Sequence, residues 1–277
     1  MLSNSEKTDL EATLIIQPID MDNGIVEYAF SSHIGTREYQ QDTVEVGKNQ
    51  EGVYFGVLCD GMGGLDDGGL ASFVTVKLLV KAICRSNHIN DIPGFLVSQA
   101  HILNNAIYTL PSGDGDNGIM GTTLAAAMIS KNSLYWLSVG DSRVYIVRGK
   151  EIVRVTRDHN YALELNEQVR AGLLSEEEAA ADTKREALIS FLGMEALRLI
   201  DFNKTAFPLE PDDTVLLCSD GLYRSLSDSD ILQIILMHSG DLEECARVLP
   251  LYAFDRAIGS HDNTSVILLR YQNGETV

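Results

Sequence analysis

A chain of 277 residues, 45% of them hydrophobic, can bury a sizeable core, and its 40 acidic against 21 basic residues leave a formal charge of −19. That balance argues against nucleic acid or an anionic membrane as partner and suits the binding of cations. The cysteines Cys59, Cys84, Cys218 and Cys245 show no Cys-x-x-Cys spacing, the start is polar, and no apolar run reaches membrane-spanning length, so buried free thiols in a reducing cytoplasm are expected.

Residues 1–22 read as an N-terminal extension, in which Thr13–Ile16 forms either a strand or a loosely packed stretch, ahead of a single domain over 23–277. Val26–Ser31, Thr43–Val46 and Val53–Cys59 are the opening strands. The last has only apolar or small residues, the pattern of a strand buried on both faces, and it ends in Asp60-Gly61-Met62-Gly63-Gly64. From Gly69 a helix is expected with Leu70, Phe73, Val74, Val80 and Ile83 on its apolar face; a second covers Ile92–Tyr108. In the loop over 111–118, Asp114 and Asp116 mimic the first ligands of an EF-hand. Ile119 and Ala125 then occupy the required glycine and glutamate positions, so it reads as a solvated turn.

Thr122–Ile129, Leu134–Val139, Val144–Arg148 and Glu151–Thr156 predict an antiparallel meander, and Tyr161–Ala181 is helical in pattern. Asp201–Phe207 and Thr214–Cys218 follow as strands, then a helix over Ser227–Met237 with Ser227 as N-cap. Asp241–Ala257 is a further helix that Pro250 should end or kink, and Thr264–Tyr271 is the closing strand. Strands at both ends with helices in runs between them are the mark of an α+β fold.

Three apolar runs end near acids, at Asp60, Asp141 and Asp220, and Arg37 precedes Asp42 by five residues in an early loop. Asp-Gly-Met-Gly-Gly, Gly-Thr-Thr, Gly-Asp-Ser-Arg (140–143), Ser-Asp-Gly-Leu (219–222) and Asp-Asn-Thr-Ser (262–265) are each weak signals alone. In this order and at these separations, from about Ser31 to about Arg270, they resemble the metal-dependent protein serine/threonine phosphatase family, type 2C, in its compact bacterial form. The resemblance implies two central, mostly antiparallel sheets packed as a sandwich and flanked by helices on both sides. It also implies a variable flap at about 160–192 beside the active site, where Asp182-Thr183 replaces a His-Pro frequent in bacterial relatives.

Hydrolysis of a phosphate monoester calls for charge neutralisation, an activated water and help for the leaving alkoxide, much of which a pair of hard cations can supply. Carboxylates and carbonyls suit manganese or magnesium. By resemblance, Asp60 is shared by two such ions, the Gly61 carbonyl completes one site, Asp220 and Asp262 hold the other, and Asp42 and Gln41 sit one water further out. Many relatives have Glu at the position of Gln41 and many bacterial ones have Asn at that of Gln40. Asn263 is read as an amide orienting Asp262. Arg37 is the phosphate clamp of the motif, against the alternative of a surface arginine. Asp141 either shares a third, weaker ion with Asp220 or is a turn acid bonded to Arg143. Asp158-His159, His33 and His261 are taken as structural. Met62 departs from the histidine that some relatives, chiefly eukaryotic, carry two residues after the shared aspartate. The activity implied is dephosphorylation of phosphoserine and phosphothreonine in proteins, substrates of a cognate serine/threonine kinase, with no nucleic acid and no membrane involved. The alternatives are a regulatory pseudophosphatase, disfavoured by retention of Arg37, Asp42, Asp60, Asp220 and Asp262, and another metallohydrolase such as a nuclease, disfavoured by the acidic surface.

Overall fold

The computed structural model describes residues 25–63, 67–86, 88–111 and 120–272. The expectations for the extension at 1–22, for Thr13–Ile16 and for the Asp114/Asp116 loop fall outside these residues.

Among the described residues all strand pairings are antiparallel. One sheet runs β1(Ile25–His33), β12(Thr264–Gln272), β11(Thr214–Cys218), β7(Arg143–Arg148), β8(Glu151–Arg154). The other runs β10(Phe207–Pro208), β6(Ser133–Val139), β5(Leu124–Ser130), β3(Tyr54–Met62), β2(Asp42–Lys48), with β4(Gly121–Thr122) on β3 and β9(Asp201–Phe202) on β6. Strand alternation builds three apolar layers. Tyr54 and Leu58 of β3 meet Val215 and Leu217 of β11 and Ile267 and Leu269 of β12 between the sheets. Phe55, Val57 and Cys59 face α1(Asp67–Arg85) and α2(Ile92–Tyr108) on one outer side, through Val76, Leu79, Ile83, Leu96 and Leu103. Leu216, Cys218, Val266 and Leu268 face α6(Asp228–Met237) and α7(Leu242–Arg256) on the other. This is the expected α+β sandwich flanked by helices, and β3 is buried on both faces. Burying a side chain such as Leu58, which has no exposed surface, contributes roughly 1.5–3 kcal/mol.

Several local expectations differ from what is observed. In α1, Leu70 and Phe73 are exposed, and the helix turns Ala71, Ser72, Thr75, Val76, Leu79 and Ile83 inward. The cause lies at its first turn, where a Cβ on Gly61 would fall 2.0 Å from the Gly68 carbonyl oxygen. Two glycines let helix and strand backbones touch, and only small side chains fit beneath the turns that follow. The helical stretch after 160 is two helices, α3(Tyr161–Arg170) and α4(Glu176–Ala181), separated at Gly172 (φ +71°) and restarted by a Ser175/Glu178 capping box. Asp201–Phe207 is two short strands, because the Asn203 side chain bonds the main chain of Trp136 and Leu134 between them. Pro250 does not end α7, whose fully buried Ala246, Leu249 and Ala253 hold it against the sheet across the missing bond. Ser227 caps α6 as expected. Cys59, Cys218 and Cys245 are buried free thiols, whereas Cys84 is exposed. Among the described residues no helix is long and apolar enough to cross a membrane.

Candidate active site

The two sheets bring their acids to one end of the sandwich. Asp42 opens β2 directly opposite Asp60 near the end of β3. Asp220 follows β11 at the start of the four-residue helix α5(Asp220–Tyr223), Asp262 precedes β12, and Asp141 lies in the turn from β6 to β7. Like charges directly opposite across a ladder repel, so the Asp42–Asp60 pairing is unfavourable unless something positive lies beside it. Burial and then Asp42, Asp220, Asp141 and Asp262 push the Asp60 carboxyl well above its usual range. Burial pushes Asp42 up to about 7 against opposing hydrogen bonds from Ser219 and Ser265, and burial and Asp220 push Asp141 up to about 7. Burial also raises Asp220, against the lowering pull of Arg224.

The main chain around these acids is tightly held. Asp60 N–H donates to Thr123 Oγ1 (2.9 Å), while Thr122 Oγ1 and Thr123 N–H donate to the Asp60 carbonyl (2.9 and 2.8 Å). Thr123 and Ser142 hydroxyls meet at 2.7 Å. Ser219 Oγ donates to Asp42 Oδ2 (2.7 Å) and receives Ser265 N–H (2.9 Å), tying the two sheets together beneath the cluster. Gly61 N–H donates to the Gln41 carbonyl at 3.0 Å, which ties the loop before β2 to the end of β3.

A cavity of about 280 Å³ opens on the acids, lined by Asp60, Gly61, Asp141, Asp220, Asp262 and Gln41, with Arg37, Met62 and Asn263 also in its wall. Arg37 Nη2 donates to Asp262 Oδ2 (2.6 Å) at its mouth, with more than half of the arginine side chain exposed. The loop carrying Arg37 passes so close to Asp262 that a Cβ on Gly35 (φ +67°) would lie 2.3 Å from the Asp262 carbonyl oxygen.

Two expectations are revised by this geometry. Asn263 orients Asp262 through its main-chain N–H (2.9 Å to Oδ1); its side chain instead accepts from Gln41 N–H (2.7 Å) and donates to the Ile34 and Tyr39 carbonyls (2.8 and 3.1 Å). It is a clamp on the Arg37 loop. Asp141 is not bonded to Arg143, whose guanidinium grips Asp158 with two bonds (2.7 and 3.0 Å) and lies 3.3 Å from the Tyr223 ring centroid. Tyr223 in turn donates to the Asp141 carbonyl at 3.1 Å. His159 is built into the same turn: Gly140 N–H donates to its Nδ1 (3.1 Å), and burial lowers its pKa to about 4, leaving it neutral. His33 accepts from Gly35 N–H (3.0 Å) and packs on Phe254.

The donor set here, carboxylates with a main-chain carbonyl, is of the kind that hard divalent cations take. Asp42 Oδ1 and Asp220 Oδ1 are buried without a hydrogen-bond partner, which is costly unless a cation or water meets them. Among the described residues no three acidic, imidazole or thiol side chains converge as a finished metal cage; Asp262 and Asp220 each give an oxygen to a guanidinium instead.

The model of the family described as Protein phosphatase 2C matches residues 31–248. The chain belongs to the protein phosphatase 2C family. It is 30% identical over 236 residues to the serine/threonine phosphatase stp of Listeria monocytogenes, spanning 84% of this chain and 90% of that one. It is 32% identical over 235 residues to the protein phosphatase PhpP of Streptococcus pneumoniae, spanning 84% and 92%. Among solved structures, the S. agalactiae serine/threonine phosphatase superposes with a TM-score of 0.78 at 32% identity, covering 88% of this chain and 99% of that one. The catalytic domain of the serine/threonine protein phosphatase PstP in complex with two manganese ions superposes at 0.71 with 28% identity, covering 90% and 99%.

Several residues around this cavity were given no role by the sequence. Thr122, Thr123, Ser142 and Ser219 stand inside recognised motifs, so their hydroxyls were visible and their bonds were not. Glu186 and Leu188, which line the cavity, lie in the variable stretch. Arg224 gave no signal, since α5 is too short for any periodicity.

Proposed function

We propose that this chain hydrolyses phosphoserine and phosphothreonine in proteins, using two divalent ions, manganese or magnesium, held by Asp60, Asp220, Asp262 and the Gly61 carbonyl, with Asp42 and Gln41 beside them. The observation that carries this reading is the placement of Asp42 opposite Asp60, with Asp220, Asp141 and Asp262 all acting on Asp60 around one open cavity. When bound, such ions neutralise phosphoryl charge and make water nucleophilic at neutral pH.

The chain's own residues do the rest. Asp60, fixed through its N–H and carbonyl by Thr122 and Thr123, holds the centre of the cluster rigid. Arg37 has donors left over after its bond to Asp262, and a guanidinium can grip two phosphate oxygens in a planar fork. Asn263, by clamping the loop at Ile34, Tyr39 and Gln41, sets where that fork can reach. Met62 has no proton to give a leaving alkoxide. Residues 23–277 are read as one phosphatase domain with a flap at about 160–192; the cavity wall formed by Glu186 and Leu188 supports that placement. The substrates envisaged are cytoplasmic phosphoproteins made by a serine/threonine kinase. The testing experiment is turnover of a phosphothreonine peptide with manganese, set against the same sample in excess chelator. Activity in the first and none in the second is expected; equal activity in both would refute the reading.

A further inference from the structure

The end of helix α5 and its C-cap bring two side chains, Tyr223 and Arg224, to Asp141. Tyr223 Oη bonds the Asp141 carbonyl, and Arg224, four residues after Asp220, reaches back into the acids. Its Nη2 is 2.9 Å from Asp220 Oδ2 and 3.8 Å from Asp141 Oδ2. Both carboxylates are buried, while Arg224 keeps nearly half of its side chain exposed and lines the cavity together with Arg37 and Glu186. The Arg224 main-chain N–H also donates to the Asp220 carbonyl at 3.0 Å, which fixes the backbone from which the guanidinium reaches back to the Asp220 carboxylate. Asp220 is thereby divided: Oδ2 faces Arg224, and Oδ1 is the oxygen left without a partner.

We propose that Arg224 is a built-in cation that keeps a further ion from being shared between Asp141 and Asp220 while leaving Asp220 Oδ1 to the two-ion cluster, so that this phosphatase works with two metal ions and a guanidinium where its family resemblance implies a third ion. The proposal rests on the two-ion reading above. The pair does not fit a third ion, because the oxygens such an ion would share are bridged by a positive group that would also repel it. A fixed guanidinium offers phosphoryl oxygens the same charge complementarity without depending on a weakly held ion. Turnover should then saturate in manganese in a single phase once the two tight sites fill.

The test is calorimetric counting of manganese on the wild type, Arg224→Lys and Arg224→Met. Two ions per chain are expected for the wild type and for Arg224→Lys. Arg224→Met should gain a third, weaker ion, and adding Asp141→Asn should return the count to two. A wild type that binds three ions overturns the proposal, whether or not the variants fold, and so does an Arg224→Met protein that binds only two. Turnover of the phosphothreonine peptide, run beside it, separates the two readings: no turnover at any manganese concentration would sink the phosphatase function, while the ion count still decides the role of Arg224.

Discussion

Replacing Asn263 by alanine should cost stability and substrate affinity together, by amounts that follow from its bonds. The side chain is almost fully buried and serves three main-chain groups: the Gln41 N–H and the carbonyls of Ile34 and Tyr39. A buried polar group left without its partner costs about 1–3 kcal/mol. Tyr39 is half exposed and its carbonyl can turn to water, so the groups fully charged to the variant are the Gln41 N–H and the Ile34 carbonyl. The expected loss is therefore about 2–6 kcal/mol, a large share of the roughly 5–15 kcal/mol that holds a domain folded. Urea unfolding in chelator should show a lower midpoint at unchanged slope. Because the released loop carries Arg37, KM for a phosphothreonine peptide should rise severalfold in the same protein with manganese. A loss under about 0.5 kcal/mol, the range of an ordinary surface substitution, with an unchanged KM would refute the clamp.

Three further outcomes are expected. In chelator, Asp42 and Asp141 keep their protons up to about 7, against an ordinary 3.8. Both states are protonated below the ordinary value, only the unfolded chain ionises between the two, and both are ionised above. From these two groups stability should thus fall as pH rises from about 4 to about 7, by up to ~1.4 kcal/mol per pH unit for each, offset in part between about 4 and 6.5 by His159, whose lowered pKa acts in the opposite direction; melts of Asp141→Asn should show a steeper rise or shallower fall than the wild type, and an unchanged slope would contradict the assignment. Met62→His should accelerate phosphoserine peptides relative to an aryl phosphate, since positioned proton transfer contributes about 10²–10⁴-fold and a phenolate needs little of it; an unchanged ratio in a folded, metal-loaded variant counts against a missing acid. Leu58→Ala, at a site with no exposed surface between the sheets, should destabilise by about 2–5 kcal/mol in urea unfolding, and a loss below about 1 kcal/mol would show that the inter-sheet layer relaxes around the cavity.

The layers were legible because the apolar runs that build them are local. Val53–Cys59 announced a doubly buried strand, and the acids at the ends of such runs announced where the cluster would form. What stayed hidden depends on contacts distant in sequence. Leu70 and Phe73 are apolar at helical spacing, yet the Gly61–Gly68 contact rotates them to solvent. Asn263 works on a loop more than two hundred residues earlier, and its adjacency to Asp262 suggested a nearer target. Arg143 had Asp141 close in sequence and Asp158 close in space; the two-bond grip went to the latter. The break at Gly172 and the Ser175/Glu178 capping box, by contrast, were readable local signals, overridden by the acidic helical pattern around them.

The central claim is that the opposed acids of β2 and β3 exist to hold divalent cations for phosphate ester hydrolysis. Asp60→Asn tests it most directly, because the change removes one charge from the centre of the cluster and leaves the Thr122 and Thr123 bonds to the main chain in place. Manganese calorimetry and peptide turnover should be run on wild type and variant at the same pH. The account predicts two tight ions and manganese-dependent turnover in the wild type, and in the folded variant loss of at least one tight ion together with loss of turnover. A variant that retains both ions and near wild-type turnover at modest manganese would contradict it.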